Sequence, residues 1–86
     1  MSDGQLASEA LRILHGARSL PPAEAVEALN PFLDSMRHKD SSDTLAEAST
    51  AAVAELVRSL KDNHAATDDL WQHAIDATLS FANEAG

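Results

Sequence analysis

An all-α fold, a compact bundle of about four helices in one domain spanning residues 1–86, is what this sequence predicts. Three observations carry it. Apolar side chains recur at the helical period in four separate stretches. No run alternates apolar and polar residues in the manner of a strand, and no hairpin turn joins two such runs. Alanine supplies much of the 44% hydrophobic content, and it favours helix while letting helix axes approach closely.

The first helix is predicted from about Asp3 to Arg18. Ser2 followed three residues later by Gln5 fits a capping box. Leu6, Ala7, Ala10, Leu11, Ile13, Leu14 and Ala17 fall within about 160° of arc, with Ser8, Glu9 and Arg12 facing away. Leu20-Pro21-Pro22 stops it, because each proline lacks an N–H and disfavours helix in the residue before it.

Pro22 suits the first turn of a second helix, and Glu24 lies near its positive end. Pro31 falls inside this segment. Val26, Leu29, Leu33 and Met36 nevertheless share one face of about 160° if the helix runs unbroken from Pro22 to Arg37. The proline itself falls on the solvent side, so one helix kinked at Pro31 is expected rather than two short ones.

Residues 38–43 read as a polar loop. The third helix is predicted from about Thr44 to Asp62, capped by Asp43 or Ser42. Leu45, Ser49, Ala52, Val53, Leu56, Val57 and Leu60 occupy about 140° of it, opposite Glu47, Arg58 and Asp62, and Leu56 lies mid-arc. Asn63-His64-Ala65-Ala66 makes the turn. Thr67 then caps a fourth helix whose first turn holds Asp68 and Asp69. Short connections between four such helices imply an antiparallel bundle or a compact orthogonal variant of one.

Composition excludes several function classes. Without cysteine there is neither a disulfide nor a thiolate metal site. A net charge of −8 argues against direct nucleic-acid binding through phosphate contacts. No apolar run approaches the roughly 20 residues that span a bilayer, and no secretory leader is recognisable at the start, so a cytoplasmic protein is expected. Twenty large apolar side chains (Leu, Ile, Val, Phe, Trp and Met36) suffice for one modest core.

No constellation reads as an active site. The four histidines, His15, His38, His64 and His73, include no i,i+4 pair on one helix, and Asp69, His73 and Asp76 line a helix side that reads as a solvated acidic face. Asp68 and Asp69 are adjacent and complement the helix dipole. Neither a Gly-rich phosphate loop nor a thiol nucleophile is present, so neither enzymatic activity nor a cofactor is expected. Asp34-Ser35-Met36 resembles the Asp-Ser-Leu tripeptide of acyl carrier proteins, which are also acidic, four-helical and of similar length. The resemblance covers three residues and gross composition, and would make Ser35 the modified side chain. It departs in that the tripeptide here closes a helix, and no glycine precedes it.

The fourth helix breaks the pattern of the other three. Arg18, Arg37, Lys39, Arg58 and Lys61 lie near the ends of the first three helices, as the helix dipole favours. Residues 62–86 hold Asp62, Asp68, Asp69, Asp76 and Glu84 and no Lys or Arg, so five of the eight net negative charges lie there. The apolar side chains of this segment spread over about 200°, where about 100° serves a one-sided surface helix. That width points to a second surface to be covered, with Trp71, Ile75 and Leu79 as its apolar candidates and Asp69, Asp76 and Glu84 as its charged ones. Trp71 lies near the middle of the arc, where core membership is the first reading; tryptophan is also enriched at binding hot spots, which makes an interface the second.

The function expected from this layout is a small acidic protein–protein interaction module. Its most concrete form is an inhibitor or antagonist of a basic, nucleic-acid-binding partner, of the bacterial or phage kind: immunity, antitoxin-like or anti-CRISPR-like. The alternative is a homodimer or accessory structural subunit whose fourth helix completes a bundle with a neighbour. A carrier or phosphotransfer protein, modified at Ser35 or a histidine, is the remote third reading.

Overall fold

The computed structural model describes residues 3–37 and 44–85, and among these it contains four helices and no strand: α1 (Asp3–Ala17), α2 (Pro22–Arg37), α3 (Thr44–Asn63) and α4 (Asp68–Ala85). The expected caps at Ser2 and at Ser42 or Asp43, the polar loop and His38 lie outside the described residues.

Local chemistry explains the boundaries. α1 ends one residue earlier than expected. The Ser19 and Leu20 amides turn back to the carbonyls of Gly16 and Ala17, at 3.2 and 3.0 Å, tightening the last turn before the prolines. The Pro21 carbonyl accepts the Ala25 N–H at 2.9 Å, the first bond of α2, which leaves Pro22 at the first helical position where its missing N–H costs nothing. α2 then runs through Pro31 to Arg37. Pro31 is exposed, while Val26, Leu29, Phe32, Leu33 and Met36 are buried on the other side. α3 closes one residue later than expected. It is followed by His64 in the left-handed region with φ 58°, a conformation commonly filled by glycine at a helix C-terminus. The Ser59 hydroxyl donates to the Ala65 carbonyl at 2.7 Å and holds the turn. At α4 the Thr67 hydroxyl accepts the Leu70 N–H at 3.2 Å, and its carbonyl accepts that of Trp71, also at 3.2 Å.

Among the described residues the helices form a closed ring: α1 packs on α2, α2 on α3, α3 on α4 and α4 on α1, with no close backbone approach across either diagonal. The α1–α2 and α3–α4 turns and the Arg18–Asp68 ion pair gather the end of α1, the start of α2, the end of α3 and the start of α4 at one pole. Neighbours are therefore antiparallel. The core holds Leu14, Leu29, Val53, Leu56 and Phe81, each essentially inaccessible to solvent. At 5000 Å², the accessible surface agrees with the about 4,900 Å² expected of a folded monomer of this mass. The chain covers its own core.

Among the described residues, one buried side-chain contact is polar. Ser49 of α3 and Thr78 of α4, both fully buried, share a hydrogen bond of 2.8 Å between their hydroxyls. Two hydroxyls facing each other satisfy in the core what each alone would lack.

Candidate functional site

The ring corrects the reading of α4. Trp71 and Ile75 are each only 6% exposed and belong to the core, so neither offers an apolar surface to a partner. The physical reason is that α4 packs against both α1 and α3. Two neighbours set at an angle need a wider apolar arc than one surface does. Leu79, at 45% exposure, is left outside.

What α4 presents to solvent is an acidic strip with one leucine in it. Asp69, Gln72, His73, Asp76, Leu79, Asn83 and Glu84 are all exposed. Gln72, Asp76, Leu79 and Asn83 follow one another at helical spacing, and the Gln72 side-chain amide donates to an Asp76 carboxylate oxygen at 2.9 Å. From Asp69 to Glu84 the strip runs about 22 Å along the axis. At its N-terminal end Asp68 reaches Arg18, the residue after α1, at 3.5 Å, which pairs one carboxylate. Asp69, Asp76 and Glu84 have no cationic neighbour on their own helix, because α4 contains no Lys or Arg.

Other sequence candidates fall elsewhere. Ser35 is exposed in the last turn of α2, the opposite end from the one the carrier tripeptide requires. His15, His64 and His73 are exposed, on α1, in the α3–α4 turn and on α4. Among the described residues, no group of three His, Asp or Glu side chains is placed to hold a metal ion. No described helix is long and apolar enough to cross a membrane.

Two features escaped the sequence reading. Ser49 was placed on the apolar face of α3, but its partner lies 29 residues away on another helix, and nothing local announces it. Arg37, Arg58 and Lys61 read as separate helix-end charges; folding brings them to one groove between α2 and α3. Knowing that α2 and α3 are antiparallel neighbours would have revealed it.

No family model, curated protein or solved structure matches the chain. The functional reading therefore rests on the surface itself.

Proposed function

We propose that this protein is a small protein-binding module that engages a basic surface on a macromolecular partner through the outer face of α4. It acts there as an inhibitor, in the manner of immunity proteins, antitoxins or anti-CRISPR proteins. The observation that supports this reading is the exposed strip of Asp69, Asp76 and Glu84 around Leu79, on a helix without a cation, in a chain whose own core is closed. Carboxylates so placed steer a cationic partner during encounter, and an acidic strip about 22 Å long suits a groove built for nucleic acid. Leu79 supplies the apolar contact that electrostatic steering alone lacks.

The test is a matched pair of baits in native-host extract, the parent and Asp69→Lys/Asp76→Lys, followed by binding kinetics on whatever differs. The expected result is a basic protein held by the parent and lost by the variant. Its association rate should fall roughly tenfold or more on charge reversal, and its salt dependence should weaken. A partner bound equally by both baits would remove the acidic face from the mechanism. The homodimer reading has its own supporting observation in the exposure of Leu79. Light scattering on the parent and on Leu79→Asp decides it: a dimer that dissociates in the variant would support self-association, and a monomeric parent would end it.

A further inference from the structure

We propose that the groove between α2 and α3 is a binding site for a small phosphate-bearing anion. Asn30, Leu33 and Arg37 of α2 form one wall, and Val57, Arg58, Lys61 and Asp62 of α3 the other, around about 230 Å³ of space. Three of the six Lys and Arg residues of a chain with net charge −8 line it. Three cations and the single carboxylate of Asp62 leave a local charge of +2.

The pairing of the cations makes this concentration informative. Arg12 is paired with Glu9, and Arg18 with Asp68. Arg37, Arg58 and Lys61 make no ion pair among the described residues, although the chain holds 14 carboxylates. With only the Asp62 carboxylate among the lining residues to offset three cations, like charges in the groove repel one another, and a bound anion reduces that repulsion.

The chemistry of the walls selects the anion. Two guanidinium groups offer planar forks of N–H donors suited to phosphate oxygens, the Lys61 ammonium adds a mobile point charge, and the Asn30 amide adds neutral donors. A phosphomonoester, mostly dianionic at pH 7, matches the local +2. Leu33 and Val57 are buried beneath the groove and belong to the core, so the polar side chains above them make the contacts. The ligand is small: Asn30 to Arg37 spans about 10 Å of helix, and a long polyanion leaving the groove would meet an acidic molecule. α2 and α4 sit diagonally across the ring, so this site and the acidic face of α4 occupy different sides of it and can fail independently.

The test is a titration of the isotopically labelled full chain with inorganic phosphate and, separately, with phenyl phosphate, followed by amide chemical shifts. Saturable shifts confined to residues 30–37 and 54–62 are expected with both, at comparable affinity, because the phosphate group makes the contacts. Arg58→Gln/Lys61→Gln should weaken binding at least tenfold while the melting curve stays cooperative, and Arg12→Gln should leave binding unchanged. No saturation by about 10 mM, ten times a Kd of about 1 mM, would overturn the proposal. So would shifts that survive the double substitution, or a single-stranded oligonucleotide that binds more tightly than phenyl phosphate.

Discussion

The two flanks of α3 do opposite things with the same helix. Toward α4 it is closed: Ser49, Ala52, Val53 and Leu56 are buried, and the one polar contact is satisfied within the protein by Thr78. Toward α2 it is open: Val57 is buried, but Arg58 and Lys61 line a groove with Arg37 and keep their donors for solvent or ligand. An inner flank whose polar groups are internally paired fixes how the helices fit together. A flank whose charges are unpaired contributes little to stability and is free to bind. The division places the fold's stability and its chemistry on different sides of one helix, and substitutions on each side can test it.

The largest effect belongs at the centre of the closed flank. Leu56 is fully buried among the four helices, and Leu56→Ala removes apolar contacts and leaves a cavity that a rigid ring fills poorly. A loss of about 2–4 kcal/mol is expected, a large share of the stability of a domain this small. Chemical denaturation measures it. An unchanged midpoint would show that this side of α3 is not the core, and the comparison would collapse.

The hydroxyl pair comes next. In Ser49→Ala the Thr78 hydroxyl loses its partner, and in Thr78→Val the Ser49 hydroxyl does. Each change should cost about 1–2 kcal/mol, toward the low end because a helical Ser or Thr can turn to the carbonyl four residues back. Thr50 already does so, donating to the Ala46 carbonyl at 2.8 Å. The double variant removes both hydroxyls and leaves none stranded. Its cost should fall short of the sum of the singles by about 0.5–1.5 kcal/mol. Additivity within about 0.3 kcal/mol would mean the pair is not coupled, and the α3–α4 seam would then depend on apolar packing alone.

The fold was legible because its signals are local. Pro21-Pro22 both ends one helix and begins the next, and the stripe from Val26 to Met36 overrides Pro31 because the proline lies on the opposite, exposed side. Thr67 announces α4 by a hydrogen bond spanning three residues. The candidate site was less legible because it depends on neighbours. Trp71 and Ile75 become candidates for a partner surface only when α4 is compared with a helix lying on one surface. In a ring of four, every helix has two neighbours, and an arc well beyond 100° is what burial requires. The charged part of that assignment, Asp69, Asp76 and Glu84, lies in solvent because nothing in the ring covers the outer side of α4. Arg37, Arg58 and Lys61 are a group only in three dimensions.

The smallest expected effect distinguishes two accounts of those cations. Lys61 lies in the last turn of α3, where it meets the negative end of the helix dipole, whereas Arg58 lies more than a turn from the helix end at Asn63 and gains less from it. Both face the repulsion of the groove. Arg58→Gln should therefore be neutral or stabilising by a few tenths of a kcal/mol at low ionic strength, since it relieves repulsion and gives up little. Lys61→Gln gives up the dipole contact as it relieves repulsion, and should be neutral or slightly destabilising. The difference should shrink as salt approaches about 1 M, where the screening length falls to about 3 Å. If both substitutions destabilise equally at every salt concentration, the three cations are paired within the fold after all, and the open flank of α3 is closed like the other.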